Sequence, residues 1–328
     1  MNSFGTEAGA GLLIVIESEE DVLSLPAFDP ARDLVLGGGS NVLFVTDVPG
    51  TVFHNCIPGR SVTGEDGDFA RVEVGAGEDW HRLVRWTLDQ GLSGVENLSL
   101  IPGRAGAAPI QNIGAYGVEL ASVLRGVTAW DWQRAAWVNL DKAACGLAYR
   151  DSLFKSSAAD RYLITSIQLN LDRHFRPRLE YAGLLEELGV TAIDGITARD
   201  VSDAVIRLRR RKLPDPTQHG NAGSFFKNPL IDRDRLESLR AAFPALPAWP
   251  DTDGFCKLSA AWLIEQCGFK GQRRGQAAVS EEHALVLVNL GHASGRDIAA
   301  LARDVQNAVA DRFDIRLEAE IRMIEFSC

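Results

Sequence analysis

Cysteine is scarce in this chain and never arranged for metal or disulfide chemistry. The five residues Cys56, Cys145, Cys256, Cys267 and Cys328 include no Cys-x-x-Cys pair and no histidine at zinc-ligand spacing, so neither a disulfide scaffold nor a metal site is expected. Long apolar runs are missing too. The stretch Leu12 to Ile16 is too short for a membrane span or a signal-peptide core, and Met1 to Ala10 carry no positive charge, so the expectation is a cytoplasmic protein without a membrane partner. An excess of positive charge is also lacking: 34 Lys and Arg against 44 Asp and Glu give a formal net charge of −10. A general nucleic-acid binder needs the opposite balance to displace counterions from phosphates. The single dense basic run, Arg207, Arg209, Arg210, Arg211 and Lys212, reads first as a solvated helix end and second as a phosphate site. No long apolar helix face or heptad run calls for a second copy, so a monomer is expected.

What remains is a globular composition. With 46% hydrophobic and 24% charged residues over 328 positions, the chain can build a sizeable core and is long enough for two or three domains. Leu12–Ile16, Leu34–Leu36, Val42–Val45, Thr51–Phe53 and Ala70–Val74 are short apolar or alternating runs punctuated by Gly, Pro and Asp, the pattern of strands. From Glu78 to Gly91, Trp80, Leu83, Val84 and Leu88 recur at helical spacing, with Gly91 at the C-terminal cap position. Further strands are expected over Val123–Val138 and Tyr162–Leu171. A helix follows over Arg199–Lys212, stopped by Pro214-Asp215-Pro216, where the main domain boundary is expected. Beyond it the spacing predicts a helix over Leu258–Cys267, a strand over His283–Asn289 and a helix over Ser294–Arg312 with a capping box from Ser294 and Asp297. In a final strand, Ile315, Leu317, Ile321 and Met323 alternate with Arg316, Glu318, Glu320 and Arg322.

Three glycine-bearing stretches carry possible chemistry. Leu36-Gly37-Gly38-Gly39-Ser40-Asn41-Val42 sits between strand-like runs, where backbone N–H groups can turn toward a phosphate. It has no Gly-Lys-Ser/Thr ending and no helix after it, so it is neither a P-loop nor a Rossmann fingerprint, and a plain hairpin turn is the alternative. Gly75-Ala76-Gly77-Glu78 opens a helix and offers free N–H groups at its positive end. Ile101 to Gly117 is long and nearly uncharged, with one Arg and one Tyr, and suits close backbone approach to a flat cofactor.

These stretches occur together with Tyr149-Arg150-Asp151-Ser152-Leu153-Phe154-Lys155, Lys212-Leu213-Pro214-Asp215-Pro216, Asn221-Ala222-Gly223-Ser224-Phe225-Phe226-Lys227-Asn228-Pro229 and Leu317-Glu318-Ala319-Glu320. In that order, from Ser3-Phe4-Gly5 to Ile324, the chain resembles the type I UDP-N-acetylenolpyruvoylglucosamine reductases. The resemblance implies an α+β chain: a two-lobed FAD-binding domain of the vanillyl-alcohol-oxidase type over residues 1–200 (lobes of about 1–55 and 56–200), an α/β substrate-binding domain over 201–310, and a C-terminal strand over 311–328 carrying a catalytic Glu. It implies NADPH as the source of electrons, FAD as their carrier and UDP-N-acetylglucosamine enolpyruvate as acceptor, giving UDP-N-acetylmuramate for peptidoglycan.

Residue by residue, the resemblance implies Ser224 as proton donor, with Arg150 and Glu320 also catalytic. FAD contacts are implied for Gly37, Gly38, Gly39, Ser40, Asn41, Gly103, Gly106, Ala107, Ala108, Asn112, Gly114 and Tyr116, with Arg322 near the flavin. Substrate contacts are implied for Tyr181, Lys212, Asn228, Lys270 and His283, two lysines suiting a diphosphate. The chemistry agrees. Hydride addition to an enol ether leaves carbanion character beside a carboxylate, which needs positive charge or hydrogen bonds there and an acid at the carbon. The planar fork of Arg150 and a protonated Glu320 suit the carboxylate. On local grounds alone Ser224 is a turn residue, Arg150 part of a surface ion pair, and Glu318 and Glu320 a solvated strand face.

Two departures from the family pattern stand out. Ala107-Ala108 replace serines that some members carry, leaving backbone groups to meet FAD, and Trp249 stands where some members place a tyrosine over the diphosphate. A flavoenzyme of the same fold acting on another substrate is the alternative, and Asn221–Pro229 argues against it. A non-catalytic nucleotide-sugar binding module would leave the extensive FAD-type loops without a purpose.

Overall fold

The computed structural model describes residues 2–189, 195–251 and 254–326. The chain divides into two compact units. One comprises Gly9–Gly39 and Val48–Arg211, the other Met1–Ala8, Ser40–Asp47 and Lys212–Cys328. This differs from the division expected from sequence in two ways. The 200/201 boundary falls inside the helix Ala198–Lys212, whose apolar face packs with Leu179 and Leu184. The segment Ser40–Asp47 joins the C-terminal part because Val42–Phe44 pairs in parallel with Arg322–Ile324.

The first unit holds two sheets. Ala10–Ile16, Val48–Asn55 and Leu34–Leu36 form a parallel sheet with Val48–Asn55 in the middle. Five antiparallel strands follow in the spatial order Ala136–Asp141, Leu124–Asp131, Tyr162–Asp172, Phe69–Gly75, Arg60–Asp66. Alternation sets the inner face: Ala70, Val72 and Val74 are buried between more accessible neighbours, as a period of two requires. Against that core packs the helix Trp80–Asp89, whose Trp80, Leu83, Val84 and Thr87 are buried at helical spacing. Asp79 caps its first turn by accepting the Arg82 N–H at 2.8 Å, and Gly91, at φ +70°, lets the chain turn away after it. The central strand is buried on both faces, with Leu163 packing on Ile16, Val22, Phe53 and Ile57. Beside it the fully buried Asp131 carboxylate takes the Arg161 Nη2 at 2.7 Å and Nε at 3.1 Å. Those bonds hold its pKa below the usual carboxylate value.

The second unit is built on the helix Gly295–Phe313. Ser294 and Asp297 form the expected capping box, and Ile298, Leu301, Ala302, Val305, Val309 and Phe313 turn inward. Around it lie the antiparallel sheets Leu230–Asp232, Phe255–Leu258, Ala248–Pro250 and Arg273–Arg274, Ala277–Val279, Leu287–Asn289. Helices Arg233–Ala242 and Ala260–Gln266 complete it.

Local expectations need correction at three places. Leu258 ends a strand, and the helix starts at Ala260 because the Ser259 side chain caps it. Only Leu287–Asn289 of the expected strand is regular, since His283 to Val286 form a turn closed by the Val286 N–H on the His283 carbonyl at 2.9 Å. The last strand shrinks to Arg322–Ile324, so Glu320 lies in the bend before it. Ile315, Leu317 and Ile321 are buried as expected, but Met323 is 43% exposed and Ile324 is inside. The alternation resets where the chain changes partner, from Phe225–Lys227 to Asn41–Phe44. Among the described residues no helix is long and apolar enough to cross a membrane. Cys56, Cys145, Cys256 and Cys267 are free thiols, and Cys328 lies outside the described residues.

Candidate active site

In the first unit the three glycine-bearing stretches come together. A Cβ on Gly38 would lie 3.2 Å from Gly103 Cα, and one on Gly37 would lie 3.5 Å from Arg104 Cβ and 3.8 Å from Ala107 Cβ, so the loops approach backbone to backbone. The 103–106 segment is pinned to the helix entrance by Trp80 N–H to Gly103 O (3.0 Å), Ala105 N–H to Glu78 O (2.8 Å) and Gly106 N–H to Ala76 O (2.9 Å). Arg104 adds Nη1 to Gly77 O at 2.9 Å, and a Cβ on Gly106 would overlap Ala76.

The expectation of free N–H groups at Gly75–Glu78 fails. All four donate within the fold, Gly75 to Gly59, Ala76 to Thr165, Gly77 to Ile57 and Glu78 to Gly75. That stretch supports the Gly37–Gly39 and 103–107 loops and is not itself an anion cradle. His54, behind the glycine loop, has its pKa lowered by burial and then by Arg104, with a bond to the Gly37 backbone opposing them.

Asn112 is committed locally. Its side chain donates to Glu119 Oε2 at 2.9 Å and Ala148 O at 3.0 Å and accepts the Ala121 N–H at 2.9 Å, and its backbone is left-handed at φ +44°. Its amide fastens the loop from inside. Through that loop the structure seats Arg150, whose Nη2 donates to Gly114 O at 2.6 Å and whose guanidinium lies 5.5 Å from the centre of the Tyr149 ring. A Cβ on Gly114 would meet Arg150 Nη1 at 2.8 Å, so only glycine leaves that space to the guanidinium. Tyr116 meets Tyr181 edge to face, ring centres 4.8 Å apart, and burial pushes its hydroxyl pKa up to about 12.

Sequence reasoning missed Arg209. In the basic run, Arg207 and Arg211 pair with Glu187 at 2.9 and 2.6 Å and Arg210 is exposed, as a solvated helix end predicts. Arg209 turns inward: its Nε is buried with no hydrogen-bond partner among the described residues. Burial is the main cause lowering its pKa; Tyr116 opposes and Arg150 adds to the lowering. Its position one turn after the buried Val205 was the available signal.

The second unit arranges the rest around Asn221–Pro229. Asn221 is buried, donating to Pro214 O at 3.1 Å and His219 O at 2.8 Å and accepting the Gly223 N–H at 3.0 Å. Gly223, at φ +73°, then turns the chain into Ser224, which is half-buried and bridges Val286. Phe225 and Phe226 are buried, their ring centres 5.0 Å apart. On the other flank the Glu320 N–H donates to Phe225 O at 2.8 Å and Phe226 bridges Ala319. Ser224 and Glu320 are thereby held on adjoining backbone. Asn41 Nδ2 reaches Glu320 O at 3.4 Å, and the Arg322 N–H donates to Asn41 O at 3.0 Å. The backbone O of Ser40 takes the Ser3 hydroxyl at 3.3 Å. Glu318 is 74% exposed and pairs with Lys227 at 3.2 Å, the solvated alternative realised.

Lys212, Lys270 and Glu265 act electrostatically on His283, whose pKa is lowered chiefly by burial, and Lys270 pairs with Glu265 at 3.0 Å. Asn228 Oδ1 accepts the Ala260 N–H at 3.0 Å, tying it to the start of a helix. Trp249 is half exposed on its short strand. Among the described residues no group of His, Cys, Asp and Glu gathers as metal ligands.

A family model for an FAD binding domain matches residues 12–140, and one for the UDP-N-acetylenolpyruvoylglucosamine reductase C-terminal domain matches residues 215–324. The chain is 50% identical over 324 residues to the UDP-N-acetylenolpyruvoylglucosamine reductase of Burkholderia vietnamiensis, covering 97% of this chain and 93% of that one. The enzyme of the same name from Xanthomonas oryzae pv. oryzae is 48% identical over 330 residues, covering 99% and 96%. The crystal structure of the UDP-N-acetylenolpyruvylglucosamine reductase of Thermus caldophilus superposes with a TM-score of 0.67 at 27% identity, covering 99% of this chain and 96% of that one. Full-length identity of this order, with the glycine loops in the FAD-binding match and Ser224 and Glu320 in the C-terminal match, means that the chain belongs to the UDP-N-acetylenolpyruvoylglucosamine reductase family.

Proposed function

We propose that in reducing UDP-N-acetylglucosamine enolpyruvate to UDP-N-acetylmuramate, a step of peptidoglycan precursor synthesis, this chain takes electrons from NADPH through FAD and its proton from Ser224. The loops fit the cofactor. Gly37, Gly38, Gly103, Gly106 and Ala107 offer backbone and methyl groups alone, and Arg104 is the one cation of the 101–117 stretch, a surface suited to a dinucleotide pyrophosphate. FAD, when bound, supplies the hydride that adds to the enolpyruvyl methylene carbon.

The chain's own residues do the rest. Arg150 and Arg209 bind the substrate carboxylate, and Glu320 adds a contact there, so the charge that builds up beside it is stabilised before it forms. Ser224 gives its hydroxyl proton to the carbon bearing that carboxylate and regains one from solvent. The two buried phenylalanines after it keep bulk water from the carbon. Lys212 and Lys270 meet the diphosphate, Tyr181, Asn228 and His283 the nucleotide sugar, and Arg322 and Asn41 the flavin side. The acidic net charge of −10 supports a monomer without nucleic-acid partners, and the cytoplasm, away from the membrane, is its proposed place of work.

The observation that carries this reading is the Ser224 segment clasped between Val286 and Glu320, which fixes a hydroxyl beside a carboxyl-bearing bend. The experiment is direct. Purified protein is expected to be yellow, to release FAD on denaturation, and under anaerobic conditions to oxidise NADPH beyond the amount that reduces its own flavin only when the enolpyruvyl UDP-sugar is present. A colourless protein that FAD does not reconstitute overturns the reading.

A further inference from the structure

A row of backbone hydrogen bonds crosses the Ser224 segment, and it begins at a side chain. His283 Nδ1 accepts the Leu285 N–H at 3.2 Å. The Leu285 carbonyl accepts the Phe225 N–H at 2.7 Å, and the Phe225 carbonyl accepts the Glu320 N–H at 2.8 Å. Ser224 precedes Phe225 and bridges Val286, the residue after Leu285. The turn bearing the histidine is closed by the Ser280 N–H on Val286 O at 2.8 Å and by Ser280 Oγ, which accepts the Glu282 N–H at 3.1 Å. Because Nδ1 accepts, the neutral ring carries its proton on Nε2.

We propose that His283 is the positioning residue of the proton-transfer step: its unprotonated Nδ1 holds the Leu285–Val286 backbone in the register that fixes Ser224 and the Glu320 amide. The inference rests on Ser224 as proton donor. A role through the backbone is separate from any contact of the Nε2 edge with the nucleotide.

A dependence on pH follows from the geometry. Protonation at Nδ1 turns the acceptor into a donor that faces another N–H, and the first bond of the row is lost. Burial, then Lys212 and Lys270, disfavour the charged ring, while Glu265 favours it; Glu281 and Glu282 of the same turn are exposed. With its pKa below the ordinary 6.5, the ring keeps the bond at neutral pH and loses it as pH falls through that lowered value.

The test is the rate at which substrate reoxidises the NADPH-reduced holoenzyme, followed by flavin absorbance over roughly pH 5 to 8. Asparagine places its Oδ1 as many bonds from the backbone as Nδ1 and does not titrate. His283→Asn is therefore expected to lack the wild-type fall in acid when each pH series is scaled to its own rate at neutral pH. His283→Leu, which leaves the Leu285 N–H without its acceptor, is expected to slow reoxidation on the order of 10- to 100-fold, with flavin reduction by NADPH unchanged. The proposal is overturned if His283→Leu reoxidises at the wild-type rate, if both half-reactions fall together, or if His283→Asn keeps the acid limb. Ser224→Ala run in parallel separates the two claims. A normal rate there overturns Ser224 as donor, whereas a slow Ser224→Ala beside a normal His283→Leu overturns only the positioning role.

Discussion

Ser224→Ala is expected to leave flavin reduction by NADPH intact and to slow reoxidation by the enolpyruvyl UDP-sugar on the order of 10²- to 10⁴-fold, the range a positioned general acid supplies. An isolated hydroxyl is a poor acid, so the effect depends on the setting. Gly223 at φ +73° turns the chain into Ser224, Asn221 locks the preceding turn by three hydrogen bonds, and backbone contacts to Val286 and the Glu320 amide hold the two flanks. The alanine variant keeps every one of those backbone bonds. Unchanged thermal stability is therefore expected alongside the kinetic loss, and stopped-flow traces of the two half-reactions check both arms. Equal rates in the second half-reaction contradict the assignment.

Arg209→Met is expected to lower kcat/KM on the order of 10²-fold while leaving the melting temperature unchanged or raised. The two signs come from one cause. Without ligand, Arg209 is a buried cation whose Nε has no partner among the described residues and whose charge is opposed by burial and by Arg150. An apolar side chain of similar length removes that cost. On the proposed reading a substrate carboxylate bound by the two guanidiniums turns that repulsion into a double attraction, and Arg150 is anchored on the Gly114 carbonyl at 2.6 Å. Steady-state kinetics with a thermal melt checks the pair of outcomes. A variant that loses stability in step with activity shows Arg209 to be a packing residue instead.

Both arginines also show what the sequence could and could not reveal. Periodicity predicts a helix over Arg199–Lys212, yet on sequence the run Arg207–Lys212 reads first as a solvated helix end and second as a phosphate site, although one turn separates Arg209 from the buried Val205. Position on the helix was readable; that the buried Nε finds no hydrogen-bond partner among the described residues was not, because it depends on the chain folding around it. Asn112 shows a related limit. The resemblance gives it to the cofactor, and its side-chain amide is taken up by Glu119, Ala121 and Ala148, partners that the spacing of the sequence does not reveal. The free N–H groups expected at Gly75–Glu78 are used up for the same reason, by Ile57 and Gly59 of a loop, by Thr165 on another strand and by Gly75 itself.

The final segment is instructive in a different way. Alternation from Ile315 to Met323 is present in the sequence, and its first part is realised with Ile315, Leu317 and Ile321 buried. It breaks at the bend where the chain leaves Phe226 to pair with Val42–Phe44. A change of partner leaves no mark on hydrophobic spacing until its far side, here Ile324. That bend is what takes Glu320 out of a solvated strand face and brings its amide to Phe225.

The central claim, a flavin-mediated reduction of an enolpyruvyl UDP-sugar, is tested most directly by an anaerobic titration of the purified holoenzyme. NADPH is added until the flavin absorbance bleaches, and UDP-N-acetylglucosamine enolpyruvate is then added alone. The expected result is return of the oxidised flavin spectrum together with a stoichiometric amount of UDP-N-acetylmuramate. A flavin that stays reduced in the presence of that substrate contradicts the account.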